Sequence, residues 1–103
     1  MERAETTGSS ARWRHAPDVV ARRIRGELIL VPIRRTSAEL DGFFTLNATG
    51  ADIWTWIGEG RSLNEMAKRL AEEYEIDAEV ARADVNGVVN ELMATGALVA
   101  SGD

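Results

Sequence analysis

Side chains that usually carry chemistry are sparse in this sequence. There is no cysteine among the 103 residues, and His15 is the only histidine. Without cysteine there is no thiolate metal site, no thiolate-held iron–sulfur cluster and no disulfide framework. A lone histidine with no second ligand type beside it makes a poor metal ligand or general base. No nucleophile is spaced to meet a base, and no glycine-rich phosphate loop occurs. Most carboxylates fall at helix caps or on polar helix faces. The sequence reads as non-enzymatic, with no cofactor of its own.

What remains is recognition chemistry, in two stretches. Phe43, Phe44, Thr45 and Leu46 read as a short strand. A strand with one unpaired edge offers free N–H and C=O groups to another chain. The second stretch is helical. Ala81, Val85, Val88 and Leu92 make a core stripe, and Val89 and Met93 lie to one side of it, beside Arg82 and Asn86. Such a mixed flank suits the wall of a groove. Its apolar side chains take anchors, and the planar fork of Arg82 holds a carboxylate bidentately. The plainer alternative is a helix with a wide buried face.

The elements that must position these stretches follow from local signals. Val19 to Ile33 reads as a hairpin reversing at Gly26, although Arg25-Gly26-Glu27 does not fix the register. Pro32 belongs at a strand end or on an edge. A polar loop, Arg34 to Asp41, leads into the third strand. Asn47 is the expected N-cap of a helix over Ala48–Ile57, with Ile53, Trp54 and Ile57 facing the core and Trp56 on the flank, as packing or as an interface anchor. Gly58 and Gly60 end that helix, Gly58 as the left-handed cap. Ser62-Leu63-Asn64-Glu65 is a capping box opening a second helix whose apolar face is Leu63, Met66, Ala67, Leu70 and Tyr74. Glu65 and Arg69 are spaced for a surface ion pair. Asp77 is the expected cap of a third helix running to about Thr95, with Gly96 past its end. Ala97-Leu98-Val99 packs the C-terminus back as a short strand or turn.

Together these give an α+β domain, with a three-stranded antiparallel sheet followed by three helices, in a winged helix-turn-helix-like order. The domain spans 18–100. Residues 1–17 are expected to be a flexible tail in which Arg12-Trp13-Arg14-His15 is either a docking peptide or, more plainly, a stretch whose Trp13 rests on the domain surface, and 101–103 a short C-terminal end. No apolar run is long enough to span a bilayer, so no membrane role is expected, and the lack of cysteine fits a cytoplasmic protein. The net charge of −5 and the pI near 4.9 disfavour nucleic acid. Asp77, Glu79, Asp84 and Glu91 outnumber Arg82 on the third helix, against a winged-helix DNA-binding regulator, the alternative that the element order permits.

The run Phe44-Thr45-Leu46-Asn47-Ala48-Thr49-Gly50-Ala51, followed by Ile53-Trp54 and then by Gly60-Arg61-Ser62, resembles the PqqD family of coenzyme PQQ synthesis. The resemblance covers roughly Val19 to Val99. It implies a winged helix-turn-helix fold and a non-catalytic peptide chaperone. In that family the leader of a ribosomally made precursor peptide adds as a strand beside the third strand, against the third helix. The chain then presents the peptide to a modifying enzyme, often a radical SAM enzyme, in PQQ synthesis or a related pathway. Carried over, the edge is Phe43, Phe44, Thr45 and Leu46, and the facing residues come from Arg82, Val85, Asn86, Val89 and Met93. Leu46, Asn47, Thr49, Gly50 and Trp54 match the family pattern and are assigned to fold and turn geometry. The chain is expected to be a monomer or a weak homodimer.

Overall fold

Two residues turn the first hairpin. Arg25 and Gly26 both adopt positive φ, 53° and 84°, the conformation that a tight two-residue reversal requires. That turn sets the register the sequence leaves open. β2 (Val19–Ile24) runs antiparallel to β3 (Glu27–Pro32), with Ile24 opposite Glu27 and Val19 opposite Pro32. The computed structural model describes residues 11–33 and 44–100. Phe43, residues 1–10 and the end at 101–103 lie outside the described residues.

The third strand of this sheet is β4 (Phe44–Leu46), and the order is β2-β3-β4. Three helices follow: α1 (Ala48–Gly58), α2 (Leu63–Tyr74) and α3 (Ala78–Thr95). The expected α+β order of three strands, then three helices, is present. Leu28 and Leu30 from β3 and Leu46 from β4 turn to one face of the sheet and meet Ile53, Trp54, Trp56 and Ile57 of α1. Met66 and Leu70 of α2 and Ala81, Val85, Val89 and Leu92 of α3 complete the same core. No helix of the described residues is long and apolar enough to cross a membrane.

A second, two-stranded sheet joins the ends of the domain. β1 (Trp13–His15) pairs antiparallel with β5 (Leu98–Ala100), so Arg14 lies opposite Val99. This corrects the reading of residues 11–17 as part of a loose tail. Trp13 is half-buried against the core. The His15 ring stacks on Trp54 with centroids 3.7 Å apart and planes 6° from parallel. Its Nε2 donates to the Trp54 carbonyl oxygen at 2.8 Å. Farther back, the carbonyl of Ala11 accepts from the Leu63 N–H at 2.9 Å, satisfying a donor that the first turn of α2 leaves free.

The helix ends show which signals are local. Asn47 caps α1 as expected, its side-chain oxygen accepting from the Gly50 N–H at 2.8 Å. The capping box of α2 forms in both directions: the Glu65 N–H donates to Ser62 Oγ at 3.2 Å and the Ser62 N–H to Glu65 Oε1 at 2.9 Å. That second bond holds the Glu65 carboxyl below its usual pKa. Because Glu65 serves the cap, Arg69 pairs instead with Glu73, at 2.9 Å, and lies over the Trp56 ring. Asp77 precedes α3 but makes no side-chain cap bond. Gly96 ends α3 with φ of 85°. At the end of α1, however, the left-handed residue is Gly60 (φ 87°). Gly58 is still helical, and a Cβ there would lie 2.8 Å from the His15 ring. Its smallness makes room for that ring.

Candidate functional site

β4 is three residues long because Asn47 turns the chain into α1 immediately after it. On one side Phe44, Thr45 and Leu46 face Leu30, Ile29 and Leu28 of β3. On the other side no strand pairs with β4 among the described residues. The backbone groups along that side are the unpaired edge that the sequence reading expects. Leu46 is buried, Phe44 is half-buried against the core and Thr45 is exposed. Phe44 and Leu46 thus anchor the strand, while its outer edge has no partner strand among the described residues.

The residues expected on α3 separate. Val85 and Val89 are 0% and 1% exposed and face the core. Neither presents an exposed wall, unlike the groove position that the sequence reading gives them. Val88, expected in the core stripe, is only half-buried. Adjacent residues on a helix differ by about 100°, so the core face is turned toward Val89 relative to the expected stripe. Arg82 is half-buried and donates through Nη2 to Asn64 Oδ1 at 3.1 Å. It lines a depression between α2 and α3 with Ala67, Lys68, Ala71, Ala78 and Glu79, and no residue of β4 belongs to that depression. Asn86 is exposed and Met93 is 39% exposed. By helical spacing both share the Arg82 flank, which at Arg82 faces α2. The structure therefore does not join Arg82 to the open edge.

The opposite flank of α3 carries Val80, Asp84 and Val88 at four-residue spacing. Val80 is an exposed aliphatic residue. Tyr74, the last residue of α2, donates through its phenol to Asp52 Oδ2 of α1 at 2.8 Å. Asp52 lies in the helix that opens directly after β4, and Tyr74 closes α2 just before α3. The bond ties the end of α2 to the first half of α1. Donation to the Asp52 carboxylate raises the phenol pKa above its ordinary value, with an opposing contribution from Thr49. The sequence reading assigned Tyr74 to the buried face of α2. The exposure of Val80 and Tyr74 is not legible in the sequence, because an exposed valine or tyrosine gives no periodic signal distinct from core patterning.

The profile of the family described as coenzyme PQQ synthesis protein D (PqqD) matches residues 27–98. The chain belongs to the PqqD family. Two solved structures share the fold of this PqqD-family chain. One, described as lasso peptide synthetase B1 complexed with the leader peptide, has a TM-score of 0.76 and 25% identity over 86% of this chain and 99% of its own. The other, TbiB1 in complex with the TbiA(beta) leader peptide, has a TM-score of 0.74 and 23% identity over 87% and 99%. The comparison with curated proteins returned no match.

Proposed function

We propose that this chain binds the leader of a ribosomally synthesised precursor peptide by strand addition to β4. The observation that carries the reading is the open edge of Phe44–Leu46 on a PqqD-family fold, the fold of a lasso peptide synthetase B1 solved with a leader peptide. Main-chain hydrogen bonds from the leader would complete the sheet, and side chains beside the edge would select the sequence. Phe44 and the α3 flank of Val80 and Val88 are the apolar neighbours we assign to that selection. Arg82, tied to Asn64, is assigned to the α2–α3 junction. The chain then hands the leader to a peptide-modifying enzyme, of the radical SAM class or another, in the cytoplasm. A winged-helix regulator of DNA is disfavoured by the acidic surface of α3.

Calorimetric titration with the leader peptide encoded beside this chain's gene tests the reading. Saturable binding that survives Arg82→Glu and is weakened by Val80→Asp supports both the function and the revised flank. Loss of binding in Arg82→Glu alone, with an unchanged circular dichroism spectrum, would return the site to the α2–α3 side. Absence of binding by the unaltered chain would remove the function.

A further inference from the structure

The outer face of the β2–β3 hairpin has a chemistry unlike the rest of the chain. The register sets Val20 opposite Val31, Arg22 opposite Ile29 and Ile24 opposite Glu27, and continues to Thr45 beside Ile29. Leu28, Leu30 and Leu46 point the other way, into the core. On the outer face Val20 and Val31 are about one-third exposed, and Ile24 is 51% exposed. Ile33, just past the strand, is 59% exposed. Aliphatic side chains gathered in water, rimmed by charge, mark a surface that a partner covers.

The rim is cationic. Arg22, opposite Ile29, and Arg25, in the turn, are exposed, and neither pairs with a carboxylate among the described residues; Arg23, opposite Leu28, lies on the other face of the hairpin. Over residues 19–33 three arginines stand against one glutamate, a balance of +2 in a chain of net charge −5. Residues 63–95, which hold α2 and α3, carry eight acidic side chains against three basic ones. The hairpin thus carries a positive balance, unlike the acidic α2–α3 region.

We propose that this face docks the peptide-modifying enzyme, through an enzyme surface with an apolar centre and a carboxylate rim. The proposal rests on the leader-binding reading above, because an enzyme is required once the chain holds a leader. Charge complementarity selects the occupant. A second copy packed face to face would oppose arginine to arginine, which is repulsive. The net charge of −5 on the whole chain disfavours duplex DNA and anionic membranes as occupants. The position also suits delivery. Strands are spaced by about 4.8 Å, so a protein seated on this face reaches Thr45, in the same strand whose free edge receives the leader.

The test measures binding of the purified modifying enzyme encoded beside this chain's gene to the full chain by interferometry, without leader, while leader affinity is measured separately by calorimetry. The double variant Arg22→Glu, Arg25→Glu is expected to weaken enzyme binding about tenfold or more, as is Ile24→Asp. Leader affinity should stay within about twofold, because the hairpin's outer face and the β4 edge are separate surfaces. The association rate of the unaltered chain should fall as salt rises. Enzyme binding unchanged in both variants would overturn the proposal. So would no enzyme binding by the unaltered chain, or arginine-dependent binding to phosphatidylglycerol vesicles or duplex DNA in its place. If the leader fails to bind while the enzyme docks through the arginines, the leader reading falls and this interface stands.

Discussion

The two sheets of this domain are finished in opposite ways. In the small sheet, β1 and β5 close on one another, and His15 commits both its ring face and its Nε2 to Trp54. In the larger sheet, β4 pairs on one side only among the described residues, and the outer face of the hairpin leaves aliphatic side chains in water. The first arrangement satisfies polar groups and buries rings, so it contributes stability. The second leaves donors, acceptors and apolar area unused, which in a small domain with a thin core is a cost that a bound partner would offset. The contrast separates the part that holds the domain together from the part that we assign to recognition.

The largest expected effect breaks the closed side. Trp54→Ala removes a buried ring on which both the core and His15 rest, and should lower unfolding free energy by about 3–5 kcal/mol. Thr45→Ala, on the open strand, should change it by less than about 0.5 kcal/mol. Urea denaturation of the two variants checks the asymmetry, and equal costs would erase it.

Gly58→Ala probes the same clasp more finely. Its Cβ would collide with the His15 ring, at a cost of roughly 1–3 kcal/mol. Most of that cost should vanish in a His15→Ala background, because the clash partner is gone. A double-mutant cycle with no coupling would mean that helix propensity alone governs Gly58. On the open side, a single backbone N-methyl on the leader, at a residue that donates to β4, should weaken binding about tenfold, while methylation one residue along should not.

Legibility from sequence divides along the same line of local against distant causes. Asn47 and the Ser62–Glu65 box could be read because the capping group lies within one turn of the amides it satisfies. The strand-to-helix change at Asn47 and most of the core could be read because periodicity is local as well. The clasp could not. Trp13–His15 is a three-residue strand with two cationic or polar members, and its partner is at the other end of the chain. Gly58 looked like a helix terminator because its reason for being glycine, the His15 ring, is remote in sequence. Of the site, the open edge was legible in Phe44–Leu46. The helix flank was not, because Val88 and Val89 fit the same apolar arc, and only packing against the other elements decides which one turns inward.

Smaller effects sharpen the picture at the caps. Ser62→Ala should cost about 1 kcal/mol by thermal denaturation. The same cap gives a pH signature. Glu65 has its pKa lowered by the Ser62 N–H, so its contribution is present above the ordinary carboxylate range and is lost as pH falls through the lowered folded-state value. Glu65→Gln should flatten stability over that acidic window. Least of all, Tyr74→Phe should cost a few tenths of a kcal/mol at neutral pH, since the bond to Asp52 is solvent-screened. Because the phenol pKa is raised, that small contribution persists at neutral pH and disappears as pH rises through the folded-state value, which ultraviolet titration of the phenolate detects.

The most direct measurement is amide hydrogen exchange at Phe44, Thr45 and Leu46 with and without the leader peptide. In a strand, successive N–H groups point to opposite edges. If the leader adds to the free edge, amides facing it exchange quickly in the free chain and gain strong protection on binding. Those already bonded to β3 change little. Protection confined to the α2–α3 depression around Arg82, with the β4 amides unchanged by a saturating leader, would contradict the account.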